Sequence, residues 1–186
     1  MAKLYFRYSA MNAGKSTALL QVAHNYEENG RRVRIYTAAI DRRHGPGNVT
    51  SRLGPQRKVE TFDERLNFGE DLRVHRDVSC VLVDEAQFLQ PAQVRELHRI
   101  AHVWNMPVIC YGIRTDFLGE PFPGSAHLLA LADSLEEVKN ICACGKKATM
   151  NVRVDVNGKR VLHGEQVAIE GSALYIQTCG NCFYAT

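Results

Sequence analysis

Residues 4–17 of the chain read LYFRYSAMNAGKST, in which strand-forming aromatic residues lead into a turn that ends in Gly-Lys-Ser. Residues 9–16 fit the phosphate-binding loop G-x-x-x-x-G-K-[ST] at every position except the first, where Ser9 replaces glycine. In such loops, backbone N–H groups surround phosphate oxygens at the positive end of the next helix. The motif therefore predicts that Lys15 reaches the terminal phosphates and that the Ser16 hydroxyl ligates Mg²⁺.

The residues after the loop distinguish a nucleotide site from a chance match of letters. Leu19, Val22, Ala23 and Tyr26 recur at helical spacing, and Gly30 stands where a helix commonly ends. A strand, this loop and a helix in that order are the context that the motif requires, so we favour a true nucleotide loop. The serine at its first position has to adopt the backbone angles that glycine usually supplies there.

Further strands and helices alternate along the chain, which predicts a doubly wound parallel sheet of the α/β class. Residues 80–83 and 107–111 are near-continuous apolar runs, typical of strands buried on both faces. The other elements expected are strands at 32–37, 58–62 and 134–140, and helices at 64–75, from Pro91 and at 124–133. Ligands of such sheets bind beyond the carboxyl ends of the strands.

Residues 40–55 are rich in turn formers and carry Arg42, Arg43 and Arg52. A basic loop beside a phosphate site is a candidate phosphate clamp. We favour the simpler interpretation, a solvated surface loop, because loops of this composition usually lie on the surface.

Two carboxylates, Asp84 and Glu85, follow the apolar run at 80–83. This pattern matches a Walker B segment, in which Asp84 holds Mg²⁺, usually through water, and Glu85 takes a proton from the attacking nucleophile. A pair of solvated acids at a strand end is the alternative, and a phosphate loop on another strand of the same sheet disfavours it. The residues predict a Mg-nucleotide enzyme of the phosphoryl-transfer type, with either water or a hydroxyl compound as acceptor.

Four of the six cysteines form two close pairs near the end of the chain, Cys142/Cys144 and Cys179/Cys182. Four thiolates from two turns complete a tetrahedral site, so the spacing predicts a structural Zn²⁺. Disulfides and four unlinked thiols are the alternatives. A complete set of four cysteine ligands leaves no open position, so this metal is not expected to be catalytic.

The cysteines also suggest two domains, a nucleotide-binding domain at 1–140 and a zinc-binding domain at 141–186. The second is too small to hold together on apolar burial alone, so the metal has a structural role. Alternating valines lead to Asn157-Gly158 within it, which predicts a hairpin. Cys80 and Cys110 lie inside predicted strands and are expected to be core residues.

The composition fits one α/β domain with a small appendage, at 186 residues, 45% hydrophobic residues and a net charge of +3. That slight charge argues against a strongly electrostatic nucleic-acid binder. No apolar run of the sequence approaches the ~18 residues of a membrane span, and Arg7 interrupts the short apolar start, unlike a signal peptide. We therefore expect a cytoplasmic protein without nucleic-acid or membrane partners, whose cysteines are reduced or metal-bound.

Several segments, taken in order, resemble thymidine kinases of the cytosolic type, in particular their bacterial branch. The segments are YSAMNAGKST, VLVDEAQF, YGIRTDF, the paired cysteines and GEQVAIEGSALY, and the resemblance covers nearly the whole chain. It implies a RecA-like P-loop domain with a zinc-bearing lasso domain, assembled as a homotetramer. It also implies transfer of the γ-phosphoryl of ATP to the 5′-hydroxyl of thymidine, with dTTP as a feedback inhibitor.

The same resemblance implies roles for individual residues. Glu85 is implied as the general base, with Lys15 as the second catalytic residue. ATP binding is implied for Ser9, Ala10, Met11, Asn12, Ala13, Gly14, Lys15, Ser16, Asp84, Glu85, Ala86 and Gln87. Thymidine binding is implied for Met11, Phe117, Val167, Ala168, Ile169, Glu170, Gly171 and Tyr175. The family usually has Gly-Gly where this chain has Glu170-Gly171, a change that stiffens or redirects the lasso. Arg43 and Arg153 are further candidates for phosphate contacts.

Two other functions fit parts of the pattern. A RecA-like ATPase, such as a nucleic-acid motor, predicts hydrolysis that responds to DNA or RNA and not to nucleosides. A zinc-ribbon binding module that uses the nucleotide as a switch predicts little turnover and a basic zinc domain with exposed aromatic residues. Neither accounts for the ordered set of matched segments.

Overall fold

The structure is a computed structural model that describes residues 1–41, 45, 47–51, 54–167 and 174–185. Its strands are β1 (Leu4–Tyr8), β2 (Arg32–Ala38), β3 (Asn48–Thr50), β4 (Gln56–Lys58), β5 (Glu60–Phe62), β6 (Val78–Val83), β7 (Val108–Gly112), β8 (Ser134–Glu137), β9 (Met150–Val154) and β10 (Leu174–Thr178). Its helices are α1 (Lys15–Glu28), α2 (Phe68–Val74), α3 (Pro91–Val103), α4 (Pro123–Leu131) and α5 (Gly180–Ala185), with a short 3-10 turn at Ala86–Phe88.

Six strands form the central sheet, in the order β5-β2-β6-β7-β1-β8. All of its neighbouring pairs are parallel, which confirms the predicted α/β sheet. Side chains of β6 alternate between two cores: Val81 and Val83 pack with α2, α3 and α4, whereas Cys80 and Leu82 pack with α1. Because helices cover both faces of the sheet, β7 is buried along its whole length and β6 over its last four residues.

Local signals place most helix ends correctly. Gly30 follows α1 with a positive φ of 68° and donates its N–H to the carbonyl of Glu27. Pro91 opens α3 as predicted. The helix predicted from residue 64 instead begins at Phe68, because the Asn67 side chain accepts the N–H of Glu70 and caps it.

The segment from 40 to 62 differs from the prediction. The described part of the loop forms an antiparallel hairpin, β3 with β4, which the sequence did not predict. The strand expected at 58–62 is divided between β4 and β5, since Val59 donates its N–H to Gly47 and leaves the ladder. Short edge strands of this kind carry too few apolar residues for a periodic pattern to show.

The C-terminal region, residues 141–185, pairs β9 with β10 in an antiparallel ribbon, and α5 packs beside it. The turn at Asn157-Gly158 is present, with the Gly158 N–H donating to the Asp155 carbonyl over 3.0 Å. The chain after that turn returns only as a single bridge, from Val154 to Arg160, so the predicted hairpin is rudimentary and β10 is the true partner of β9.

The helices in the described part of the chain are short, the longest being α1 with 14 residues. None of them is long and apolar enough to cross a bilayer.

Candidate active site

A cavity of about 890 Å³ opens at the carboxyl ends of β1, β6 and β7. The phosphate-type loop, the two strand-end carboxylates and aromatic residues from two other segments all contribute to its wall. The lining residues that matter here are Met11, Asn12, Ala13, Gly14, Lys15, Ser16, Asp84, Glu85, Gln87, Phe117, Val167 and Tyr175. Lys15 and Glu85 therefore share one cleft, as phosphoryl transfer requires of a phosphate-binding lysine and a general base.

The loop itself is shaped by two left-handed residues. Asn12 has φ 64° and Gly14 has φ 82°, and α1 begins directly afterwards at Lys15. A side chain at position 14 would be strained by this backbone even though the space around it is open. Ser9 is not among the residues with positive φ, so the serine that replaces glycine causes no strain of this kind.

Ser9 also positions Lys15, because its hydroxyl accepts a hydrogen bond from the Lys15 side chain. The Lys15 ammonium donates to the Ser9 hydroxyl over 3.0 Å and to the Ala10 carbonyl over 3.3 Å. The side chain is almost buried, with 9% of its surface exposed. These contacts hold the cation beneath the loop and next to the cavity, where phosphate oxygens can replace them.

The Ser16 hydroxyl and the Asp84 carboxylate meet at the floor of the cavity. Ser16 donates to Asp84 Oδ2 over 2.9 Å, and the Glu85 N–H donates to Asp84 Oδ1 over 3.0 Å. Burial and the neighbouring Glu85 charge raise the pKa of Asp84 to about 7, although Ser16 and Lys15 act in the opposite direction. A hydroxyl and a carboxylate in contact are the oxygen donors that Mg²⁺ prefers, so the residues fit that ion.

Glu85 is held in an unusual backbone conformation, with φ 52°. Its carboxylate accepts a hydrogen bond of 2.5 Å from the Gln87 amide, and Gln87 in turn accepts the N–H of Ile113. A Cβ at Gly112 would lie 2.8 Å from the Gln87 side-chain oxygen and 3.1 Å from the Gln87 backbone nitrogen, so a larger residue there would displace the Gln87 side chain. The arrangement orients one carboxylate towards the cavity from the end of β6.

The opposite wall is aromatic, and Arg153 organises it. The Arg153 guanidinium lies 3.7 Å from the centre of the Phe117 ring and donates to the Tyr175 hydroxyl over 3.0 Å. It also donates to the carbonyls of Glu165 and Gln166. Its acceptors among the described residues all lie in 165–175, and none is in the phosphate loop. Arg153 therefore supports the aromatic wall, in place of the phosphate contact considered from the sequence.

The four cysteines near the end of the chain meet in one cluster, with all of their sulfurs within 4.8 Å of one another. The Cys144 and Cys179 sulfurs are 3.6 Å apart, too far for a disulfide. Tetrahedral Zn²⁺ with bonds of about 2.3 Å needs sulfurs about 3.8 Å apart, so the donor set fits a metal ion. Backbone N–H groups of Cys144 and Cys179 lower the pKa of Cys142 to about 6, which favours a thiolate there, whereas hydrogen bonds with the other three thiols raise the pKa of Cys182.

Nearly the whole chain, including the residues of the cavity, is similar to known proteins. The thymidine kinase family matches residues 2–183. The chain belongs to the thymidine kinase family. Similar curated proteins, each named thymidine kinase, come from Chromobacterium violaceum (58% identical, 99% of both chains), Albidiferax ferrireducens (55%, 99% of this chain and 93% of that one) and Idiomarina loihiensis (53%, 96% and 94%).

Some residues expected from the family lie behind the cavity wall or outside the described structure. Ser9, Ala10 and Ala86 do not line the cavity, as far as the described residues define it. Ser9 and Ala10 instead hold Lys15, and Ala86 is fully buried. The candidate residues outside the described part of the structure are Arg42, Arg43 and Arg52 of the basic loop, and Ala168, Ile169, Glu170 and Gly171 of the lasso.

Three residues that the sequence did not single out support the phosphate loop of this family member. The Asn151 side chain accepts the Met11 N–H over 2.8 Å, and Asn140 donates to the Met11 carbonyl over 2.9 Å. Asn12 donates to Gln177 over 3.1 Å. Because the Met11 amide is engaged by Asn151, a bound phosphate would contact the amides that follow Met11 in the loop. The sequence feature that could have indicated Asn151 is its position as a polar residue inside the valine-rich segment MNVRV, residues 150–154.

We expect Asn151→Ala to weaken Mg-ATP binding about tenfold. Asn151 is buried, with 3% of the residue exposed. Removal of its side-chain amide leaves the Met11 N–H without its acceptor. A lost buried hydrogen bond costs about 1–2 kcal/mol, which corresponds to that change in affinity. Calorimetric titration with a non-hydrolysable ATP analogue measures it. Asn157→Ala in the exposed turn is the control, and equal affinity in the two variants would contradict the role of Asn151.

Proposed function

We propose that the chain is an ATP:thymidine 5′-phosphotransferase, which transfers the γ-phosphoryl group of ATP to the 5′-hydroxyl of thymidine and yields dTMP. The observation that supports it most is the shared cavity, where the phosphate loop, Asp84 and Glu85 face an aromatic wall. Membership of the thymidine kinase family names the acceptor that such a cavity receives.

At the phosphate end, residues 9–16 wrap the triphosphate of ATP. Amides after Met11 donate to its oxygens, and the Lys15 ammonium exchanges its contacts with Ser9 and Ala10 for the terminal phosphates. Ser16 and Asp84 would hold the Mg²⁺ that accompanies ATP, and the ion would supply positive charge to the phosphates. Gln87 completes the segment that faces the nucleotide, and Ala86 is buried behind it.

At the acceptor end, Glu85 acts as the general base. It takes the proton of the 5′-hydroxyl as that oxygen forms a bond to the γ-phosphorus and the bond to ADP breaks. The hydrogen bond from Gln87 keeps the carboxylate oriented for this transfer. Most of the acceleration comes from alignment of the two substrates and from donors placed around the transferred group.

Thymine lies against Phe117 and Tyr175, with the Met11 side chain near its methyl group. In this proposal the lasso, Val167 to Tyr175, closes over the base with main-chain hydrogen bonds and excludes water, which favours thymidine over hydrolysis. Residues 168–173 of the lasso lie outside the described part of the structure. The end product of the pathway, dTTP, inhibits by occupying the acceptor site. The active protein is a cytoplasmic homotetramer.

Residues 141–186 form a separate small domain that carries the lasso, and its four cysteines hold a structural Zn²⁺. Two observations support a link between that metal and the nucleotide site. Ala10 of the phosphate loop packs against Cys142 and Cys179, and Asn151 bonds the next residue of the loop. The metal fixes the turns from which these contacts arise.

One assay tests the whole assignment. Purified protein receives Mg-ATP labelled at the γ-phosphate, with thymidine, deoxycytidine, deoxyguanosine or no nucleoside. Label appears in dTMP, with Lys15→Ala protein as the background control. Release of inorganic phosphate that is indifferent to nucleosides and stimulated by DNA or RNA would instead identify an ATPase. Nucleotide binding without turnover would identify a binding module.

We expect Arg153→Met to raise the KM for thymidine at least tenfold, with little change in the KM for ATP. Methionine retains the apolar stem beside Phe117 but removes the donors to Tyr175 and to the 165–166 carbonyls. The aromatic wall then loses its fixed geometry. Arg160→Met is the matched control, because Arg160 lies over the Phe183 ring and donates to the Phe183 carbonyl away from the cavity. Steady-state kinetics with each substrate varied distinguishes the two, and an unchanged KM for thymidine contradicts the role of Arg153.

A further inference from the structure

A second group of metal-ligating side chains lies outside the cavity, where the last turn of α3 meets the start of β1. It consists of His98, His102 and Asp133, whose nitrogen and oxygen ligand atoms lie within 4.8 Å of one another. The catalytic site uses none of these residues.

Helical spacing brings the two imidazoles together. His98 and His102 are four residues apart on α3 and therefore project from the same face, with ring centres 4.5 Å apart. His102 Nε2 lies 3.0 Å from Asp133 Oδ2. An ion pair would explain the contact between His102 and Asp133, but it would not involve the His98 imidazole that lies beside them. A metal ion with bonds of about 2.0–2.1 Å needs its ligands about 3.4 Å apart, and the ligand atoms of the three residues already lie within 4.8 Å of one another.

The carboxylate is held in place from behind. Asp133 Oδ2 accepts the Leu4 N–H over 2.8 Å, and the Asp133 N–H donates to the Leu4 carbonyl over 2.9 Å. The side chain is thus an oriented anion, and such support from behind is typical of metal ligands.

The cluster is accessible and remote from the cavity. The His102 and Asp133 side chains are 33% and 24% exposed, so an ion can enter from solution. Leu4 and Ser134 begin their strands, whereas the cavity lies at the carboxyl ends of the sheet. An ion here would join α3 to the starts of β1 and β8 without touching either substrate.

We propose that His98, His102 and Asp133 bind one divalent ion of the borderline class, Ni²⁺, Zn²⁺ or Cu²⁺. Two imidazole nitrogens and one carboxylate oxygen suit these ions better than Mg²⁺ or Ca²⁺, which prefer all-oxygen sites. The three protein ligands leave room for water on the exposed side. The bound ion stabilises the fold by linking the three elements, because it binds the native chain and not the unfolded one.

The test titrates Ni²⁺ into protein whose cysteine site is loaded with zinc, by calorimetry and by thermal unfolding. We expect one Ni²⁺ per chain, a melting temperature several degrees higher and unchanged thymidine kinetics. His98→Ala and His102→Ala should each weaken binding at least tenfold and remove the thermal shift. Asp133→Asn, which retains an acceptor for the Leu4 N–H, should weaken it with the fold intact.

His24→Ala is the matched control, since His24 Nε2 lies 3.2 Å from Glu28 Oε1 as an exposed histidine–carboxylate pair on α1. This variant should bind Ni²⁺ like the native protein. The proposal is overturned if His98→Ala retains full affinity, if His24→Ala loses as much as His98→Ala, or if no stoichiometric binding occurs. Anomalous scattering at the nickel edge would place the ion, and density away from α3 would also overturn it.

Discussion

Glu85→Gln should lower the kcat for thymidine phosphorylation by about 10²–10⁴-fold, the usual contribution of a general base. Glutamine has nearly the same shape, and its side-chain oxygen can still accept the hydrogen bond from Gln87. What it cannot do is take the proton of the 5′-hydroxyl. The expected loss is therefore in the chemical step.

Single-turnover kinetics with labelled ATP measures that step, and titration with an ATP analogue measures binding separately. The affinity for Mg-ATP should stay within about twofold of the native value, since Glu85 is not a phosphate ligand in this mechanism. Glu120→Gln, which neutralises an exposed carboxylate in the loop after β7, is the control and should be fully active. Full activity in Glu85→Gln would remove the residue from its role, and lost ATP binding would indicate a structural role instead.

Asp84→Asn should abolish turnover and at the same time stabilise the protein at alkaline pH. Turnover is lost because Asp84 and Ser16 are the side chains that hold Mg²⁺ in our proposal. Stability rises because 96% of the residue's surface is buried, only 4% being exposed, so that its ionised form is costly in the fold. Asparagine can accept the Glu85 N–H and donate to the Ser16 hydroxyl, so both local hydrogen bonds can be kept.

The sign of the pH dependence follows from the raised pKa. The pKa of Asp84 is about 7 in the folded chain against an ordinary value of 3.8, so the native protein loses stability as the pH rises from about 4 to 7. The Asp84→Asn variant has no carboxyl group to ionise at this position, so it does not lose stability in this way. Without metal and nucleotide, the variant should gain about 1–3 kcal/mol on the native chain between pH 5 and pH 8.

Urea denaturation at the two pH values measures this difference. Asp77→Asn is the control, because Asp77 is an exposed partner of Arg32 at the start of β6 and its loss should have little effect. A variant that is no more stable than the native chain at pH 8 would show that Asp84 is ionised without cost. Saturating Mg-ATP should reverse the order, because it binds the native protein and not the variant.

Both variants concern a part of the protein that could be predicted well from its residues. The motif at 9–16 and the acids after β6 occur in short, contiguous segments, so their chemistry and spacing are visible without the fold. A parallel sheet then brings strand ends to one edge, and for this reason Lys15 and Glu85 could be expected in one cleft. The paired cysteines were equally local and meet in one cluster.

The support behind these residues could not be predicted in the same way. Asn151 lies 140 residues after the Met11 amide that it accepts, and Arg153 reaches Phe117 and Tyr175 from a strand whose main partner, β10, the sequence did not predict. No local periodicity distinguishes a buried asparagine with a distant partner from one that faces solvent.

The residue types and their spacing thus define the chemistry of this chain: a loop for phosphates, an acid for proton transfer and four thiolates for a metal. Folding selects the side chains that hold those groups in place. The chemistry depends on neighbours along the chain, whereas the supporting contacts depend on packing between distant segments. In those packed regions, burial raises the pKa of Asp84 and makes each hydrogen bond costly to lose.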